Sequence, residues 1–176
     1  MYDDALFEAV ALLKYEQVSQ LGNWFAGKLS QVARLEAAQW RADVVVPVPL
    51  HAERRRERGY NQAELIARPL ARGLHLRLES RLPVRVKPRP PQLVLSRTER
   101  WRAVRGAYAT RETAQADNLR ILLIDDVMAT GATLDACARV LKKAGAAAVF
   151  ALTVGRARSG NMVTGMKVSP APRREK

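Results

Sequence analysis

One strand–helix–strand pattern, in residues 119–154, constrains the fold of this chain more than any other feature. The apolar run "LRILLIDD" (119–126) predicts a buried strand, "TLDACARVLKKAGA" (133–146) predicts an amphipathic helix, and "AAVFALTV" (147–154) predicts another buried strand. Two strands joined by a crossover helix lie parallel in one sheet. We therefore expect an α/β fold with a largely parallel sheet and flanking helices.

Two helices and a strand are predicted ahead of this unit. Segments 6–15 and 18–40 have helical apolar spacing, and the second has one stripe of apolar residues: Leu21, Phe25, Leu29, Val32 and Leu35. The run "DVVVPVPL" (43–50) predicts a further buried strand that stops at its prolines. The N-terminal helices are thus expected to precede the sheet and to pack on it.

A third helix is predicted in residues 61–74, where Pro69 interrupts the apolar pattern. Proline lacks the N–H that a helix interior needs, so we expect a kink or an end near Arg68. Residues 83–106 are rich in proline and arginine and have no sustained period, which indicates an irregular segment.

The length of 176 residues fits one main domain. We expect a helical segment over residues 1–40 packed on the core, the main domain over 41–157, and a loose basic tail over 158–176. No apolar run is long enough to span a bilayer, so no membrane insertion is expected. The acidic start "MYDDALFEAV" differs from a secretion signal and favours a cytoplasmic location.

The net charge indicates which class of ligand the chain attracts, and the cysteine content excludes two kinds of site. The formal net charge is +13, from 30 Lys and Arg against 17 Asp and Glu, which predicts attraction to a polyanion such as nucleic acid, a phosphorylated metabolite or a membrane surface. The single cysteine, Cys137, excludes an internal disulfide and a multi-cysteine zinc site. We expect Cys137 to be a small apolar residue on its helix.

Paired carboxylates end the strand at Asp125 and Asp126, directly before the turn "VMATGAT" (127–133). Ligands of open α/β sheets bind beyond the carboxyl ends of the strands, and the free N–H groups of a following helix attract anions. A helix starting near Gly131, with the hydroxyls of Thr130 and Thr133, suits a phosphate. The carboxylates suit vicinal hydroxyls, so the stretch predicts a ribose 5-phosphate site.

Other interpretations fit less well. The turn lacks the lysine of a P-loop, and the chain has no G-x-G-x-x-G dinucleotide motif. An acidic pair can bind magnesium in phospho-receiver domains, but there it follows the first strand rather than the penultimate one. A solvated acidic loop followed by an N-cap threonine is the remaining alternative.

The stretch "ILLIDDVMATGAT" resembles the motif of type I phosphoribosyltransferases that binds phosphoribosyl diphosphate (PRPP). The segments "PVPLHAERRRERGYNQAELIA", "PPQLVLSRTERWRAVRGAY" and "LFEAVALLKY" resemble the ComF competence-protein family. The likeness spans about residues 2–157. It implies a type I phosphoribosyltransferase-like parallel sheet flanked by helices.

The resemblance also implies a chemistry. It is the transfer of ribosyl 5-phosphate from PRPP, bound with Mg²⁺, to an unidentified nitrogen acceptor, with release of diphosphate. Asp125 and Asp126 would bind the ribose hydroxyls, while the phosphate would contact the turn: Val127, Met128, Ala129, Thr130, Gly131, Ala132 and Thr133. Arg54, Arg56 and Arg58 would act as catalytic cations on the leaving diphosphate, and residues 85–104 would form a mobile loop.

A second function class stays open: a non-catalytic competence protein that uses the same fold to bind single-stranded DNA and DNA-uptake proteins. A homodimer is also left open. The chain starts after the cysteine-rich zinc-binding segment that is usual in the ComF family, so that either the segment was lost or the sequence begins late. Ala129 stands where threonine is usual, and Arg89 and Ala103 stand where threonine and asparagine are usual. We therefore expect PRPP binding to be better retained than turnover.

Overall fold

The computed structural model describes residues 2–15, 20–88, 97–110 and 116–156. The described helices are α1 (Tyr2–Tyr15), α2 (Gln20–Leu35), α3 (Ala37–Trp40), α4 (Ala52–Arg58), α5 (Gln62–Gly73), α6 (Arg97–Val104) and α7 (Ala132–Lys143). The described strands are β1 (Val44–Pro47), β2 (Arg77–Leu78), β3 (Pro83–Arg85), β4 (Tyr108–Thr110), β5 (Arg120–Met128) and β6 (Ala148–Arg156).

Four of these strands form a parallel sheet in the order β2-β1-β5-β6. The longest pairing joins β5 to β6, from Arg120 opposite Ala148 to Met128 opposite Arg156. The strands β5 and β6 are joined by α7, as the strand–helix–strand pattern predicts. The predicted α/β fold with a parallel sheet and flanking helices is confirmed.

Apolar side chains cover both faces of the sheet. On one face, Leu122 and Ile124 of β5 share a core with residues of α1, α2 and α5. On the other face, Ile121 and Leu123 share a second core with α7 and with the antiparallel pair β3–β4. The alternation of β5 between the two cores is what a strand buried on both faces requires.

Several predicted boundaries were wrong. The central strand β5 continues to Met128 instead of ending at 126, because β6 keeps pairing with it. The segment predicted as irregular contains β3 and α6, while its residues 89–96 and the predicted basic tail 158–176 lie outside the described residues. The pairing of β3 with β4 is long-range, so local sequence gave no sign of it.

The predicted apolar stripe of α2 was only partly correct. Phe25 and Leu29 are buried, but Val32 is 39% exposed and Leu35 is 86% exposed. The buried face instead uses small residues such as Ala26 and Ala33. Small residues permit close helix packing, which an apolar-periodicity rule based on large side chains does not detect.

A kink or an end was predicted near Arg68, and the end is wrong, because α5 continues through Pro69 to Gly73. Proline at 69 removes the N–H that would bond the carbonyl of Leu65. That carbonyl faces α2, where a Cβ at Gly22 would lie only 2.6 Å from the Leu65 oxygen. Glycine at position 22 therefore permits the close packing of α2 on α5.

Candidate functional site

The site forms at a step in the sheet, where β1 ends and its neighbour β5 continues. The last pairing of β1 places Pro47 opposite Ile124, and the Val48 amide donates to the Ile124 carbonyl at 2.8 Å. Strand β5 continues beyond this point with β6 as its described neighbour. Asp125 and Asp126 therefore lie past the end of β1, at the ligand-binding edge of an open α/β sheet.

The two carboxylates have different environments. Asp126 is buried, with 5% exposure, and its Oδ1 accepts from the Val127 amide at 2.6 Å. Asp125 is half-buried, and its Oδ1 accepts from the Asp126 amide at 2.9 Å. The alternation of β5 side chains between the two faces of the sheet also breaks here. Val127 packs in the same core as Ile124, although a regular strand would place these two residues on opposite faces. Of the two carboxylates expected to bind ribose hydroxyls, one is buried and the other is accessible.

The phosphate turn, defined here as residues 127–133, ends where α7 begins. Gly131 has φ of 80°, a left-handed conformation that favours glycine, and it is the residue before the first helical residue, Ala132. The Thr130 hydroxyl accepts from the Ala132 amide at 3.4 Å. The predicted helix start near Gly131 is confirmed, and the first-turn amides of α7 provide the N–H groups that an anion needs.

Beneath the turn lies a cluster of Tyr108, Cys137 and Arg85. Arg85 Nη1 donates to Tyr108 Oη at 3.0 Å. Burial raises the pKa of Tyr108 to about 12, and the negative charge of Asp125 contributes to the rise. Burial, with the nearby Asp125, also raises the pKa of Cys137 well above its usual value. Cys137 is therefore a neutral, buried thiol, as predicted, and is not activated as a nucleophile.

A cleft of about 790 Å³ opens beside β1, on the side away from the phosphate turn. We call it the basic cleft; its charged and hydroxyl-bearing lining residues are Arg55, Arg68, Arg81, Arg85, Glu64, Glu79 and Ser80. Its walls are the loop after β1, helix α5 and the segment from β2 to β3. Four arginines against two glutamates make the cleft attractive to anions.

Glu64 organises the donors of the basic cleft. Its Oε1 accepts from Arg68 Nη2 at 2.7 Å and from the Ser80 hydroxyl at 3.3 Å, and its Oε2 accepts from Arg55 Nη2 at 3.1 Å. The Glu64 side chain is 13% exposed, while both arginines are more than half exposed. One carboxylate thus joins α4, α5 and the loop after β2.

The three arginines predicted as catalytic, Arg54, Arg56 and Arg58, lie on α4, which has no buried residue. Arg54 pairs with Glu57 of the same helix at 3.3 Å. The arginine of α4 that lines the basic cleft is Arg55. Sequence reasoning missed Arg81 and Arg85 as cleft residues, because Arg81 follows the two-residue strand β2 and Arg85 ends the three-residue strand β3, and strands this short give no periodic signal.

Asn61, from the "RGYNQ" motif, is buried and joins two elements at this edge. Its Nδ2 donates to the Val48 carbonyl at 3.0 Å, and its Oδ1 accepts from the Ala63 amide at 3.1 Å. The second bond makes Asn61 the N-cap of α5. The loop after β1 is thereby held against the start of α5.

The described ranges of the chain contain no group of three or more His, Cys, Asp or Glu side chains that could hold a metal ion. None of the helices within those ranges is long and apolar enough to cross a membrane.

Known proteins with similar sequences carry competence and DNA-utilization names. The chain is 32% identical over 155 residues to DNA utilization protein YhgH of Escherichia coli (strain K12), covering 84% of this chain and 66% of that protein. It is 33% identical over 159 residues to competence protein ComFC of Bacillus subtilis (strain 168), covering 88% and 61%. The chain thus spans about two thirds, or slightly less, of these curated relatives.

The fold is also found among solved structures. Adenine phosphoribosyltransferase from Thermoanaerobacter pseudethanolicus aligns with a TM-score of 0.52 at 15% identity, covering 80% of this chain and 70% of that one. The family model described as "Phosphoribosyl transferase domain" matches residues 25–168, a range that includes the sheet, the basic cleft and the phosphate turn. This chain belongs to the phosphoribosyltransferase domain family, and its relatives include the ComF-type competence proteins.

Proposed function

We propose that this chain binds PRPP with Mg²⁺ and transfers its ribosyl 5-phosphate group to a nitrogen acceptor, releasing diphosphate. The observation that carries the proposal is the adjacency of the phosphate turn to Asp125 and Asp126 at the step in the sheet. A turn at the N-terminus of a helix suits the 5-phosphate, and carboxylates suit the ribose hydroxyls. The family match supports the same assignment.

The residues have distinct roles in this proposal. The amides and hydroxyls of the phosphate turn hold the 5-phosphate, and Asp125, the more accessible carboxylate, accepts from a ribose hydroxyl. The arginines of α4 and of the basic cleft face the leaving diphosphate as its negative charge develops. Mg²⁺ bound together with PRPP would supply further neutralisation of the diphosphate charge. In the balanced step, the C1–O bond breaks, the C1–N bond forms, and the acceptor nitrogen loses its proton to solvent.

A calorimetric titration with Mg-PRPP tests binding directly. Ligand binding to the folded state alone stabilises it by about 2.7 kcal/mol at a hundredfold excess over Kd. A rise in the unfolding temperature with PRPP concentration is therefore expected. If millimolar Mg-PRPP gives neither heat nor a thermal shift, the chain does not bind this substrate and the enzymatic proposal fails.

A second candidate function is the binding of single-stranded DNA in DNA uptake, with or without turnover of PRPP. The solvent-exposed arginines of α4, Arg54, Arg55 and Arg56, favour it, because exposed guanidinium groups, including those in surface ion pairs, can contact phosphates. The names of the relatives favour it too. This second candidate function includes DNA-uptake proteins as partners and a homodimer as the assembly.

Salt dependence tests the DNA proposal. The affinity for a single strand should fall with salt, with log K decreasing by about 0.7 for each phosphate neutralised per decade of salt. Replacing Arg54 and Arg56 by glutamine should reduce that slope. Competition by Mg-PRPP would place both ligands on one basic surface, whereas absence of DNA binding at low salt would contradict the DNA proposal.

A further inference from the structure

Asn61 contacts the chain at the point where it leaves the sheet after β1. Pro47 and Pro49 lack an N–H group, so Val48 has the one backbone donor among residues 47–49, and it donates to the Ile124 carbonyl at 2.8 Å. The Val48 carbonyl accepts from Asn61 Nδ2 at 3.0 Å. Val48 is therefore fixed to β5 through its amide and to the start of α5 through its carbonyl.

The loop that begins at Val48 forms one wall of the basic cleft. Pro49 and Leu50 of this loop line the cleft, and so does Asn61. Only residues 49–51 separate Val48 from the start of α4, whose Arg55 is a further cleft residue. A shift of the chain at Val48 would therefore move the cleft wall and the first part of α4 together.

Burial makes both side-chain bonds of Asn61 costly to lose. The residue is 5% exposed, and its Oδ1 accepts from the Ala63 amide at 3.1 Å as the N-cap of α5. A buried amide group without a partner costs the free energy of its desolvation. Because Ile66 and Leu70 fix α5 in the core, Asn61 connects the loop after β1 to a well-anchored helix.

We propose that Asn61 is a positioning residue, whose bond to the Val48 carbonyl holds the loop after β1 in the conformation that binds the leaving diphosphate. A loop held in advance loses less conformational freedom when its ligand binds. Without the bond, binding must also fix the loop, and the resulting loss of affinity is limited to what the bond itself contributed. The proposal rests on the proposed function, since the diphosphate is that of PRPP.

Two substitutions separate positioning of the loop from stability of the fold. Asn61→Ser keeps a neutral oxygen that can cap α5 but lacks the amide group that reaches Val48, whereas Asn61→Ala loses both bonds. In calorimetry, inorganic diphosphate probes the basic cleft and ribose 5-phosphate probes the phosphate turn. We expect both variants to bind diphosphate about three- to tenfold more weakly than wild type, which corresponds to one hydrogen bond, and to bind ribose 5-phosphate unchanged.

Urea unfolding should rank the two variants differently. Asn61→Ala should unfold at a lower urea concentration than Asn61→Ser, because only serine retains the cap. If the role of Asn61 is only to stabilise the fold, diphosphate affinity will follow this ranking, with Asn61→Ser close to wild type, and the proposal is overturned.

Tyr60→Phe is a matched control, because it changes the adjacent side chain and removes a hydroxyl that donates to the Leu13 carbonyl at 2.8 Å. Tyr60 does not line the basic cleft, so this variant should bind both ligands as wild type does. A loss of diphosphate affinity as large as that of Asn61→Ser would contradict a specific role for the bond to Val48.

The outcomes separate this inference from the proposed function. If the wild type binds ribose 5-phosphate but no diphosphate, the inference is overturned and the phosphate site stands, whereas binding of neither ligand overturns both. Should Asn61→Ser fail to fold, hydrogen exchange of the wild type decides. Diphosphate, and not ribose 5-phosphate, should slow exchange of the amides of residues 50–52, and absence of that protection contradicts the proposal.

Discussion

Arg55 of α4 and Glu64 of α5 form an ion pair, with Nη2 and Oε2 3.1 Å apart. The pair matters because α4 has no buried side chain to attach it to the domain. A seven-residue helix is too short to be stable by itself in water. The position of α4 beside the basic cleft therefore depends in part on this contact.

Glu64→Gln should loosen α4 while changing the overall stability little. The two arginines that pair with Glu64 are 54% and 59% exposed, so each ion pair contributes about 1 kcal/mol or less. Hydrogen exchange by mass spectrometry should show faster exchange of the α4 amides. Glu57→Gln is the control, because Glu57 pairs with Arg54 inside α4. Equal exchange in both variants would show that the link to α5 does not hold the helix.

Replacing both Asp125 and Asp126 by asparagine should weaken PRPP binding much more than it weakens the fold. Each hydrogen bond to a charged acceptor contributes roughly 1.5–3 kcal/mol, and asparagine keeps an oxygen for the local bonds to backbone amides. Calorimetry with Mg-PRPP and thermal unfolding measure the two effects. Asp135→Asn, which removes a carboxylate paired with Arg139, should bind normally. Wild-type affinity in the double variant would contradict the ribose assignment.

Alkaline pH should destabilise the chain through Tyr108. Its pKa is raised from 10.0 to about 12 in the folded state, chiefly by burial, so its contribution to stability is present below pH 10 and is lost as the pH rises towards 12. That shift corresponds to roughly 2–3 kcal/mol. The free energy of unfolding, measured with urea at pH 8 to 11, should fall more steeply with pH for wild type than for Tyr108→Phe. Parallel curves would mean that the buried phenol does not account for the decline.

Cys137 should react slowly with iodoacetamide in the folded protein. The residue is fully buried, and its raised pKa keeps the thiol protonated at pH 8, whereas alkylation requires the thiolate. The rate should rise as urea unfolds the chain. Mass spectrometry of the alkylated protein measures it, with the urea-unfolded chain as reference. Rapid labelling without urea would show that α7 opens readily.

Gly22→Ala and Gly27→Ala, both on α2, should have opposite effects. A Cβ at Gly22 would lie 2.6 Å from the Leu65 oxygen, so alanine must displace α5 at a cost of about 1–3 kcal/mol. A Cβ at Gly27 meets no atom within 4 Å, so alanine should stabilise the helix by about 0.5–1 kcal/mol. Urea unfolding measures both. Equal changes in the free energy of unfolding of the two variants would contradict the close packing of α2 on α5.

The sequence alone was sufficient for the parallel β5–α7–β6 unit and for the start of α7, because these depend on local apolar patterns and on Gly131. It was insufficient for the basic cleft. Arg81 follows a strand of two residues, Arg85 ends a strand of three, and Glu64 binds partners from three separate elements. Such contacts depend on tertiary packing, which no local pattern reports.

The contact between Gly22 and the Leu65 carbonyl also has a consequence for how related sequences vary. Pro69 deprives that carbonyl of its helical donor, and Gly22 leaves room for it against α2. A relative that loses the glycine must alter the course of α5, most directly by replacing the proline and restoring the regular helix. Positions 22 and 69 are therefore expected to covary across an alignment of relatives, and independent variation at the two positions would show that each is accommodated separately.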